Sequence, residues 1–210
     1  MSKLVERIKA FIPNDFFTDA ELMRILPKSA NSRYGLVKRA IASGGIVRIR
    51  RGLYALSKKH QRTGIDLFEV AQVIYAPSYI SLESALSYHG WIPEAVRTTT
   101  SVCRNRSKEF TTPFGVFSYS RMPKYNYIGI ERIGSGRSLF LMAEPTRALI
   151  DLVFVFKKDW EGTDPLLSSL RIEPQILEKI DIETLKQLKK EKLGRRVNCF
   201  IDGLMKDLEP

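Results

Sequence analysis

Between Leu22 and Ile65 the chain carries eleven cationic side chains and no aspartate or glutamate. They are Arg24, Lys28, Arg33, Lys38, Arg39, Arg48, Arg50, Arg51, Lys58, Lys59 and Arg62. The chemistry open to such a set is neutralisation of a polyanion, most often the phosphates of nucleic acid. The whole chain of 210 residues has 34 Lys/Arg and 23 Asp/Glu, a formal charge of +11. Residues 1–21 hold three cations against four anions, and residues 66–210 hold twenty against nineteen. The excess therefore belongs to one fifth of the sequence. A solvated basic face is the competing account of such charge, and only the pattern inside the stretch separates the two.

Other chemistries find no footing. No Gly-rich loop leads into Lys-Ser/Thr for phosphate binding. Gly134-Ser135-Gly136-Arg137 is followed by no Asp-x-Asp pair for magnesium and reads as a turn between strands. Glu83, Glu94 and Asp151 stand isolated, without a nucleophile and base nearby in pattern. His60 and His89 form no ligand cluster with Cys103 and Cys199, which are expected to stay reduced. No catalytic residue, metal site or cofactor is expected.

The elements that would position the cations follow in order. Thr18-Asp19-Ala20-Glu21 fits a capping box at the start of a helix whose apolar face is Leu22, Met23, Ile25 and Leu26, ended by Pro27. Lys28, Ser29, Ala30, Asn31 and Ser32 form a polar turn offering new caps. A second helix runs from about Asn31 to Ser43, with Tyr34, Val37 and Ile41 on one face and Ser32, Arg33, Lys38 and Arg39 off it. Gly44-Gly45 stops it. Val47 and Ile49 then alternate with Arg48 and Arg50, Arg51-Gly52 turns, and Leu53–Leu56 returns. Helix, turn, helix and basic hairpin is the order of a winged helix-turn-helix, whose second helix enters the major groove.

Around this unit, residues 3–12 predict an amphipathic helix burying Leu4, Val5, Ile8, Phe11 and Ile12. Ser57–Gly64 reads as an unpatterned basic linker. Helices are expected after Asp66, over Leu82–Tyr88, after Glu144 and within 173–207. Runs at 98–102, 109–112, 116–120, 125–130 and 138–142 predict a small antiparallel sheet. The expected fold is α+β: a winged helix-turn-helix domain over residues 1–64, with its basic linker, and a mixed α+β domain over 65–210. An apolar fraction of 44% is ordinary for a globular chain, no apolar run reaches membrane-spanning length, and the N-terminus lacks a signal-peptide core. A cytoplasmic protein without membrane association is expected.

Two stretches carry a family resemblance. Gly45–Leu56 (GIVRIRRGLYAL) and Tyr79–Glu94 (YISLESALSYHGWIPE), with Phe114–Tyr119 after them, resemble the AbiEi antitoxins of type IV abortive-infection toxin–antitoxin systems. The likeness covers most of residues 18–155. It implies a DNA-binding transcriptional repressor and antitoxin that autoregulates its operon through inverted repeats in its own promoter. It also implies an antitoxin-like second domain opposing a nucleotidyltransferase-like toxin without requiring a stable complex. Candidate contacts to double-stranded DNA are Asn31, Ser32, Arg33, Lys38 and Arg39 in the groove, with Lys28, Ser29, Arg48, Arg50 and Arg51 at the backbone or minor groove. The alternative from another class is a protein-interaction adaptor whose basic face binds an acidic partner.

Overall fold

The structure, a computed structural model, describes residues 2–26, 29–135 and 138–208. Within them lie ten α-helices, a three-stranded antiparallel sheet and a six-stranded mixed sheet.

The first part of the chain runs α1 (Lys3–Phe11), β1 (Phe16–Thr18), α2 (Asp19–Ile25), α3 (Ala30–Ala42), β2 (Ile46–Arg50) and β3 (Leu53–Leu56). The Thr18–Glu21 capping box forms as expected: the Glu21 N–H donates to Thr18 Oγ1 at 3.3 Å, and the Thr18 N–H donates to Glu21 Oε2 at 2.8 Å. The small sheet has the order β1-β3-β2 and works as a wall between two apolar clusters. Alternate residues of β3 face opposite ways, so Tyr54 and Leu56 join Phe17, Ile46, Val5 and Ile8 on one side. Leu53 and Ala55 join Phe16 and Ile49 on the other, inside the large cluster that extends through residues 70–204.

The second part opens with α4 (Leu67–Ile74), β4 (Ser78–Ile80) and α5 (Leu82–Tyr88). Then come β5 (Thr98–Cys103), β6 (Lys108–Thr112), β7 (Gly115–Arg121), β8 (Ile130–Ser135) and β9 (Ser138–Ala143). It closes with α6 (Pro145–Val155), α7 (Asp164–Ser168), α8 (Pro174–Leu177), α9 (Ile182–Lys190) and α10 (Arg195–Leu208). The sheet order is β6-β7-β5-β4-β9-β8. The expectation of a small antiparallel sheet is corrected here. Strand β7 lies parallel to β5, and β4 lies parallel to β9. The three-residue β4 is too short to leave an alternation signal, yet it joins the two halves of the sheet. Residues 125–129 are not a strand, and β8 starts only at Ile130. Gly136 and Arg137 of the expected turn lie outside the described residues.

Three apolar assignments change sides. Phe11 is 66% exposed and carries the Arg7 guanidinium over its ring, Met23 is 53% exposed, and Tyr34 is 69% exposed. In α3 the buried stripe is Val37 and Ala40 instead, flanked by Leu36 and Ile41.

Candidate nucleic-acid interface

Helix α3 is capped by Ser29, whose Oγ accepts from the Ser32 N–H at 3.3 Å and donates to Ser32 Oγ at 3.1 Å. Both serines are therefore part of the cap as well as exposed. Along the 13-residue helix, Asn31, Tyr34, Lys38 and Arg39 project into solvent. Asn31, Tyr34 and Lys38 follow at intervals of three and four and so share one face. Gly35 sits in the same face, where an added Cβ would meet only Arg39 Nη1, at 3.6 Å. Arg33 has a different place. It lies four and seven residues before Val37 and Ala40, on the stripe that packs inward, and it is half-buried. Lys28 lies outside the described residues.

The hairpin separates two arginines that strict alternation would put together. A β-bulge between Arg48 and Arg50 sets Arg48 opposite Tyr54 but Arg50 opposite Leu53. Tyr54 and Leu53 face opposite sides of the sheet, so the expectation of one shared cationic side for Arg48 and Arg50 is corrected. Arg48 stands beside Tyr54, whose hydroxyl burial pushes up in pKa, helped by the Asp19 carboxylate. The Arg50 guanidinium lies over the Phe110 ring of β6, 5.6 Å from its centroid. Arg48, Arg50 and Arg51 are all exposed. The turn is held against α2, since the Asp19 N–H donates to the Gly52 carbonyl at 3.0 Å. Gly52 has φ +78°, a conformation that favours glycine.

The segment after β3, expected as an unpatterned basic linker, carries local structure of its own. Lys58–His60 form a 3₁₀ turn. Arg62 reaches back to the first helix: Nε donates to Asp15 Oδ1 at 3.1 Å, and its Nη groups donate to the carbonyls of Lys9, Ile12 and Asn14. Burial raises the Asp15 pKa, but the N–H groups of Thr63 and Arg62 and the Arg62 guanidinium outweigh it, and the carboxyl is held below its ordinary value. Arg62 is thus a clasp, whereas Lys58 and Lys59 remain exposed.

A polar cluster that the sequence reading missed lies in the second part. Asp151 is not isolated. It accepts from Arg147 Nε at 2.8 Å, from the Tyr79 hydroxyl at 2.9 Å and from Ser81 Oγ at 2.7 Å. Arg147 also donates to Asn126 Oδ1, the Ile128 carbonyl and the Tyr79 hydroxyl. Its spacing of four from Asp151 on α6 was the available signal. Tyr79 is held well above its ordinary pKa by burial and then by the Asp151 charge. Arg147 and Asp151 have no solvent exposure, so this cluster braces β4 and α6 and offers no entry to a substrate.

Among the described residues, no group of three or more His, Cys, Asp or Glu could hold a metal ion. No helix among them is long and apolar enough to cross a membrane.

No protein-family model matches this chain. A search of curated proteins returns no match either. The candidate interface therefore rests on its own geometry.

Proposed function

We propose that the protein binds double-stranded DNA through the exposed face of α3 and the β2–β3 hairpin, as a winged helix-turn-helix. The observation that carries the reading is the exposed cationic surface of Lys38, Arg39, Arg48, Arg50 and Arg51, within a stretch that contains no carboxylate at all. In this reading α3 lies in the major groove, Asn31 and Tyr34 meet base edges, and Lys38 with Arg39 meets base or phosphate. Arg33 supports the helix from its inner side. Arg48 and Arg51 of the hairpin follow the phosphates, and Arg50 does so from its seat on Phe110. Residues 1–64 form the DNA-binding unit and residues 65–210 an antitoxin-like unit. The quoted likeness to AbiEi proteins supports a repressor of the protein's own promoter that opposes a nucleotidyltransferase-like toxin without a catalytic site of its own.

Footprinting and binding titration on the DNA upstream of the protein's own gene test this. Protection of an inverted repeat is expected, with affinity falling steeply with salt. Neutralising about six phosphates gives a slope of log K against log salt near −5. No salt-dependent binding to any duplex, together with tight binding to an acidic protein, would give the adaptor reading instead.

A further inference from the structure

A cleft of about 960 Å³ opens between the end of β7, the C-terminal end of α6 and the start of α10, far along the chain from the basic stretch. Its apolar lining includes Phe154, Val197 and Trp160, and Phe156, 46% exposed, also borders it. Arg121, Lys157 and Arg195 line it and make no ion pair among the described residues. A fourth cation, Arg196, is neutralised by Asp159, leaving Glu161 as the one other carboxylate in the lining. The size is that of a small-molecule site, and the make-up joins an apolar, aromatic lining to six charged side chains, four of them cationic.

We propose that this cleft binds a nucleotide. The phosphates would take the three unpaired cations, because charge-assisted bonds from Arg and Lys to phosphate are the strongest polar contacts this lining can make. The base would lie against Trp160 and Phe156, since a base has a π-face that stacks on an aromatic side chain whatever its sequence identity. The Trp160 ring already packs near Phe200, with centroids 6.2 Å apart, and has the Lys158 ammonium above it, so it is held in place before a ligand arrives. The site is independent of the DNA-binding reading, because none of its residues lies in the first 64.

The full-length protein is titrated with ATP and with GTP carrying a fluorescent ribose label. Saturable binding is expected. The double substitution R121E/R195E should weaken it by about tenfold or more, while K38E/R48E, on the basic stretch, should leave it unchanged. Matching circular dichroism and melting curves for the variants verify that the fold persists. Trp160→Ala should weaken binding without changing its salt dependence. Inorganic pyrophosphate should compete less well than unlabelled ATP. The proposal is overturned by absence of saturation below about 1 mM, or by loss of binding in K38E/R48E with retention in R121E/R195E. Equal competition by pyrophosphate would overturn the placement of the base.

Discussion

The two parts of the molecule use an arginine–carboxylate pair in opposite ways. Arg147 and Asp151 are sealed inside the six-stranded unit, where Tyr79, Ser81, Asn126 and the Ile128 carbonyl are hydrogen-bond partners of the pair. Arg62 and Asp15 join at a rim, where the arginine side chain keeps 30% of its exposure and the carboxylate only 1%. The first pair defines where α6 sits against β4. The second ties the outgoing chain to the end of α1. Surface charge differs in the same direction: the second part nearly balances its charges, whereas the first leaves a helix face and a hairpin cationic. A buried charge is constrained by its partner, and an exposed one is free to meet a ligand.

Breaking the sealed pair should have the largest effect. Arg147→Ala leaves the Asp151 carboxylate buried without its cation, and denaturant unfolding should show a loss of about 3–5 kcal/mol. A loss below ~1 kcal/mol would mean that water or a neighbour replaces the guanidinium. The rim pair should matter less. Asp15→Asn should cost about 1.5–3 kcal/mol at neutral pH, the range for hydrogen bonds to a charged group. The sign of its pH dependence follows from the lowered pKa. The stabilisation is complete above the ordinary carboxylate value of 3.8 and fades as pH falls below it toward the folded value. Stability curves of wild type and Asp15→Asn should therefore run parallel at pH 5–7 and converge on acidification.

On the exposed side, changes should leave folding intact and alter binding. Arg48→Ala should weaken binding to every duplex and reduce the salt slope by about 0.9. Arg50→Ala should do less to DNA and more to stability, because that side chain also covers Phe110. Equal effects from the two would remove the distinction made by the bulge. A small change inside α3 is the most diagnostic. Gly35→Ala adds a methyl group that meets only the flexible end of Arg39, at 3.6 Å, so it should stabilise the helix by up to about 1 kcal/mol. In the groove-docked arrangement the same methyl group should weaken operator binding. A variant that melts higher and binds equally well would show that this face of α3 does not approach DNA closely.

Local patterns were the legible part of this sequence. The Thr18–Glu21 box, the stop at Gly44-Gly45, the Arg51-Gly52 turn and the two β-runs at 98–102 and 138–142 each depend on neighbours within a few residues. Orientation was less legible. Tyr34 and Ala40 both fit an apolar stripe with Val37 at helical spacing, and the positions of α1 and the small sheet decide that Ala40 points inward. The bulge that divides Arg48 from Arg50 leaves no mark in the strand's composition. Parallel pairing of β4 with β9, and a cluster that joins Tyr79 to Asp151 across 72 residues, are products of tertiary assembly. Within the candidate interface, the cationic residues were found from charge alone. The inward place of Arg33 and the clasp made by Arg62 required the positions of their neighbours.

The alternation of β3 has a consequence for how the chain tolerates change. Leu53 and Ala55 belong to one core, Tyr54 and Leu56 to the other. In a strand with only one buried face, inserting a residue exchanges buried for solvated side chains and damages one core. Here an insertion would push the tyrosine into the space shaped for an alanine or a leucine, and the small side chain into the space left by the ring, on both sides at once. This four-residue strand is therefore a place where length variation should be poorly tolerated, because both cores are damaged at once. Every insertion or deletion compatible with folding should fall outside it.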